Sequence, residues 1–73
     1  MELANASLNK NYIIDDIGFS ISKSRLMAYG IYPGNTIKKV SSNKSMAIYQ
    51  INNSHFAIRH NLAMTITISD YNA

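Results

Sequence analysis

Two adjacent carboxylates, Asp15 and Asp16, and two imidazoles five residues apart, His55 and His60, are the side chains whose types could do acid–base or metal chemistry. Neither pair has the spacing that such chemistry needs. Neighbours on an extended strand face apart, so Asp15 and Asp16 read as solvated charges at a strand end. His55 and His60 need a third ligand that the flanking sequence does not supply, and they read as structural or exposed, with an adventitious metal site as the lesser alternative. No His-Glu-x-x-His occurs and there is no cysteine, which removes the usual zinc signatures. There is no Gly-rich loop ending in Gly-Lys-Ser/Thr to cradle phosphates, and no serine has an evident base partner. We expect no catalytic residues, no cofactor, no dedicated metal site and no enzyme.

The stretch that organises the chain is structural: Arg25-Leu-Met-Ala-Tyr-Gly-Ile-Tyr-Pro-Gly-Asn-Thr-Ile37. It reads as the end of a short helix, roughly Ser22 to Tyr29, with Ser22 or Ser24 as N-cap. Gly30 stands where a helix ends in a left-handed residue, which places Ile31 back on Leu26. Tyr32-Pro33-Gly34-Asn35 fits a type II turn, with Pro33 fixing φ and Gly34 supplying a positive one. Strands are expected at Tyr12 to Ile17, Asn35 to Ser41, Ser45 to Ile51, His55 to Arg59 and Met64 to Ser69. Gly18 breaks or bulges the first of them. Ser42-Asn43-Lys44 and Asn52-Asn53 are hairpin turns, and residues 60–63 form a brief connector. Residues 1–11 are polar, anchored by Leu3 and Leu8, and frayed at the start.

This pattern is mainly β. Five short antiparallel strands with one short helical insertion are best stabilised by curling into a small barrel that leaves few exposed edges. Seventy-three residues make one domain, with a core expected over about residues 8–69. A chain of this size buries only about 60% of the surface that its unfolded form exposes. The absence of cysteine suits a reducing cytosol. Neither a signal peptide nor a run of about 20 apolar residues is apparent, so no membrane insertion is expected. The net charge of +3 comes from dispersed residues, and only Lys38 and Lys39 are adjacent, facing opposite ways on a strand. That argues for solubilising charge over a nucleic-acid stripe. Tyr29, Tyr32 and Tyr49 read as a roof over the barrel with hydroxyls in water, or as platforms for a partner. Leu26, Met27, Tyr29 and Tyr32 form the candidate partner surface, held by the structural turn at Gly30, Pro33 and Gly34.

The central stretch resembles the signature of FeoA, ferrous iron transport protein A, whose usual form is R-L-x-x-x-G-hydrophobic-x-P-G-x-x-I. Ile14 to Phe19, Phe56-Ala-Ile-Arg59 and Leu62-Ala-Met-Thr-Ile-Thr-Ile68 are similar to the flanking strands of that family, so the resemblance spans roughly residues 8–69. It implies an SH3-like barrel with a helical insertion. It also implies a cytoplasmic accessory of bacterial ferrous iron uptake, at the inner face of the membrane through contact with the FeoB permease, a membrane GTPase. The family carries a transition-metal-binding label without dedicated ligands. This sequence departs from the pattern at Lys10-Asn11, where Pro-Gly is frequent, at the shortened hairpin Ser42 to Ser45, and at Asn52-Asn53 in place of a Gly turn. A small nucleic-acid-binding barrel and a metal-responsive module are the alternatives, and self-association is left open.

Overall fold

Period-two alternation of apolar side chains produces five strands in the computed structural model of the chain, which describes residues 1–18 and 23–72. They are β1 (Asn11–Ile17), β2 (Thr36–Ser42), β3 (Met46–Ile51), β4 (Ser54–Arg59) and β5 (Ile66–Asp70). A six-residue helix, α1 (Lys23–Ala28), lies between β1 and β2, and a single helical turn, α2 (His60–Ala63), joins β4 to β5. All strand pairings are antiparallel, in the order β4-β3-β2-β1-β5. One face of this sheet gathers Tyr12, Ile14, Ile37, Tyr49, Ile51, Ile66 and Ile68 into a single buried cluster. With two short α-helices to cover it among the described residues, that face shields itself by curling. The expected barrel is therefore a curled sheet whose edge strands, β4 and β5, are joined through α2, with Ala63 buried in the core.

Local details depart from expectation for identifiable reasons. Gly18 ends β1, which stops at Ile17, and a bulge falls earlier, at Asp15, where the β1–β5 register shifts between Ile14 and Asp16. One extra residue lets Ile14 and Ile17 both point inward and leaves Asp15 and Asp16 both exposed, so the two carboxylates do not face apart. The connector at 60–63 is helical, and hydrogen bonds from Met64 N–H to His60 O and Thr65 N–H to Leu62 O (both 3.0 Å) delay β5 to Ile66. Asn52 takes the positive φ (57°) of the β3–β4 hairpin. The start of the chain is packed rather than frayed. Met1 and Ile68 exchange backbone hydrogen bonds of 2.9 and 2.7 Å, and Leu3 is fully buried. Leu8, expected as an anchor, is exposed. The missing anchor is Lys39, which takes an inward position on β2 and donates from Nζ to Ala4 O at 2.8 Å.

The elbow after α1 forms as expected. Gly30 (φ 97°) donates its N–H to Met27 O (3.0 Å) and Ile31 to Leu26 O (2.9 Å), the paired bonds of a Schellman stop. Leu26 and Ile31 are both buried. Asn35 N–H returns to Tyr32 O (3.2 Å) with Gly34 at φ 96°, which closes the type II turn. Three further bonds fasten this unit. Asn35 Nδ2 donates to Gly30 O (2.6 Å), Gly34 N–H donates to Ile14 O (2.8 Å), and Ile14 N–H donates to Asn35 O (2.9 Å). Ser24 lies inside α1 and is not its N-cap. Ser22, Phe19 and Ile21 fall outside the described residues.

Tyr49 corrects another expectation. It does not roof the barrel with its hydroxyl in water: the side chain is fully buried, and its Oη meets no partner among the described residues.

Two outcomes follow for stability. At Gly30 an added Cβ would lie 2.9 Å from Ile51 Cγ2, whereas at Gly34 nothing lies within 4 Å. Gly30→Ala is therefore expected to lose roughly 2–4 kcal/mol from backbone strain plus overpacking, and Gly34→Ala only about 1–2 kcal/mol from strain, in urea denaturation. Equal losses would contradict this packing. Burial pushes the Tyr49 phenol from its ordinary 10.0 up to about 12. The folded chain thus retains a proton that the unfolded chain releases near pH 10, so this residue's contribution to stability is lost as pH rises from about 10 to about 12. Tyr49→Phe is expected to remove that component of the alkaline loss and to raise stability at neutral pH by about 1 kcal/mol.

Candidate docking surface

α1 is short, and Leu26 is its one buried residue. Leu26 is therefore a core residue and not one of the exposed side chains expected from sequence, because the helix stop turns it onto Ile31, and it meets the outside only as part of a cleft lining. The other three candidates are exposed around the elbow: Met27, Tyr29 and Tyr32 are 48%, 43% and 42% exposed. Tyr29 is held in place by stacking on Phe56 of β4, with ring centroids 4.7 Å apart and 17° between planes. These side chains project from an element whose backbone is hydrogen-bonded on both sides of Gly30, so presenting them needs little further ordering.

Sequence reasoning missed a cleft beside this surface. About 260 Å³ of space opens between α1, β4 and α2, lined by Arg25, Leu26, Tyr29, Ile31, Phe56, Ala57, Ile58 and Leu62. Its walls combine apolar side chains with polar groups, Arg25 and the Tyr29 hydroxyl among them. The signal in the sequence was Phe56 and Ile58, two residues apart on one face of an edge strand, but nothing local says that α1 stands opposite them. A smaller polar depression of about 130 Å³ crosses the outer face of β1, β2 and β3 at Asn11, Lys38 and Gln50.

The residues singled out for chemistry stay apart. His55 is exposed near the β3–β4 hairpin, while His60 starts α2 at the other end of β4, its Nε2 2.7 Å from Asn43 O. Asp15 accepts a hydrogen bond from the Ser69 hydroxyl (2.9 Å) on the β5 side of the sheet. Among the described residues no three His, Cys, Asp or Glu side chains group as metal ligands. Lys38 and Lys39 do face opposite ways, the first half-buried and the second inward. Lys10 and Asp70 form an exposed ion pair at 3.1 Å, of a kind that contributes little. What this arrangement offers outside the core is exposed aromatic and methionine side chains beside a partly polar cleft. Among the described residues no helix is long and apolar enough to cross a membrane.

Comparison with solved structures places this architecture. A FeoA structure described as an iron uptake regulatory protein is 23% identical, with a TM-score of 0.84 over 94% of this chain and 93% of its own. Iron(II) transport protein A from Clostridium thermocellum is 20% identical, with a TM-score of 0.88 over 96% of this chain and 45% of its own. FeoA from Stenotrophomonas maltophilia, solved with zinc and described as a procaryotic SH3 domain protein, is 17% identical, with a TM-score of 0.84 over 94% and 89%. At these identities the likeness establishes the SH3-like fold. A search of curated proteins gives no match. The FeoA domain family itself matches residues 1–70, nearly the whole sequence, so the chain belongs to the FeoA family.

Proposed function

We propose that this chain is a non-enzymatic accessory of bacterial ferrous iron uptake that docks an FeoB-type membrane GTPase permease from the cytoplasmic side. The observation that carries this reading is the family match over residues 1–70, joined to a rigid, exposed Met27, Tyr29 and Tyr32. Tyrosine and methionine are enriched in interface cores, where they bury large area for few rotatable bonds. Because Leu26, Gly30 and Asn35 fix the elbow, binding spends little free energy on ordering it.

The test is capture of the FeoB-type permease from the same organism by the purified chain. Wild type is expected to retain the permease. Met27→Asp, a change at an exposed position that leaves the core intact, is expected to weaken retention about tenfold or more, as for loss of an apolar contact in an interface centre. Undiminished binding by Met27→Asp would move the interface to another face of the barrel. No capture by wild type would remove the permease as partner.

A further inference from the structure

The two edges of the sheet are treated differently. Along β5 the outer side is occupied: Met1 and Ile68 exchange two backbone hydrogen bonds, and Glu2 bridges Thr67. β4 has no such cover among the described residues. The two-residue turn at Asn52-Asn53 makes Ile51 and Ser54 a hydrogen-bonded pair, and bonding alternates along the ladder from there. The bond from His60 N–H to Ser45 O (3.1 Å) keeps that alternation. His55, Ala57 and Arg59 therefore aim N–H and C=O away from β3, and among the described residues no backbone group meets them. They span about 14 Å of edge. Apart from the charge of Arg59, β4 offers little against pairing: it pairs with β3 over six residues without a register shift, it contains no proline, and the small Ala57 lies near its centre.

Two observations say what such an edge would take. First, the cleft of about 260 Å³ runs alongside it, floored by Leu26, Ile31, Ile58 and Leu62. A cavity of about 150 Å³ already accepts a benzene-sized group, so an aliphatic side chain fits. Second, the acidic residues lie away from β4. All four acidic residues lie on β1, β5 or the N-terminal segment: Asp15, Asp16, Asp70 and Glu2. Arg59 stands on β4 and Arg25 lines the cleft, and neither meets a carboxylate among the described residues.

We propose that an extended acidic segment of a partner protein adds to β4 as a further strand. Its main chain bonds to His55, Ala57 and Arg59, one apolar side chain enters the cleft, and its carboxylates meet Arg25 and Arg59. A second copy of this chain fits less well, because its acidic edge is already filled by its own Met1 and Glu2. The inference rests on the reading of the chain as a docking module and gives the docked segment its chemistry.

The experiment titrates the full chain against a fluorescein-labelled peptide in which glutamates alternate with valine and leucine, beside the same peptide with lysines in place of glutamates. The acidic peptide is expected to bind about tenfold or more tightly than the basic one, and Arg25→Glu and Arg59→Glu each to weaken it by about that factor. Amide exchange at Ala57 and Arg59 is expected to slow on binding, with β5 amides unchanged. Ala57→Pro, which deletes an outward donor, is expected to abolish binding, and the arginine variants keep the test decisive if that variant does not fold. Equal affinity for both peptides, protection confined to other strands, or self-association in sedimentation with no peptide binding would overturn the proposal. Peptide binding without permease capture would count against the permease alone. Permease capture without peptide binding would count against strand addition.

Discussion

The left-handed backbone at Gly30 is the constraint on which the rest depends. A side chain there would run into Ile51 of the sheet, so only glycine lets the end of α1 come this close. That approach sets Ile31 on Leu26, brings Tyr29 over Phe56 and opens the cleft between α1 and β4. Asn35 completes the geometry from the far side of the turn. Its amide donates to Gly30 O while its carbonyl Oδ1 accepts from Thr36 N–H, so one side chain ties the helix stop to the first residue of β2. The backbone of Gly34 and Asn35 pairs with Ile14, which fastens the elbow to β1. Helix, turn and two strands thus form one unit, and the exposed side chains inherit its rigidity.

A small core makes such a unit necessary. The chain has no disulfide, and six residues of helix have too few internal hydrogen bonds to persist alone in water. Stability comes from a single curled sheet and from covering its ends. At one end the N-terminal segment is drawn in by Met1 on Ile68 and by Lys39 reaching Ala4 O, a buried amine whose donor capacity is partly met by a backbone carbonyl. At the other end, α2 turns the chain from β4 to β5 and buries Ala63. Between them the carboxylates Asp15 and Asp16 sit at the bulge, where water solvates them, and the cleft opens where α1 and α2 meet β4.

Much of this could be read from the residues, because certain types have positional meaning. Glycine and proline mark backbone conformations that others avoid, so the helix stop at Gly30 and the turn at Pro33-Gly34 were evident, and so was the alternation of Ile66, Thr67, Ile68 and Ser69. What escaped reading was set by pairings distant in sequence. The bulge at Asp15 exists because β1 must keep both Ile14 and Ile17 on β5. The N-terminal segment that buries Leu3 is met at Ala4 O by Lys39, 35 positions later. Tyr49 was given an exposed role because an amphipathic residue type does not say which side of a curled sheet closes over it, and Leu26 was placed on the surface beside Met27 although the helix stop at Gly30 turns it inward. The cleft needed α1 and β4 together, which no local window contains.

The most direct test of the account is amide hydrogen exchange in the isolated chain, read at Ile31 and Gly34. Both N–H groups are donated inside the elbow, to Leu26 O and Ile14 O. If Gly30 locks the unit, they exchange as slowly as the paired amides of β1 and β2. Exchange at the rate of an exposed loop, with the sheet amides still protected, would mean that α1 is loosely hung and that the surface it carries is not preformed.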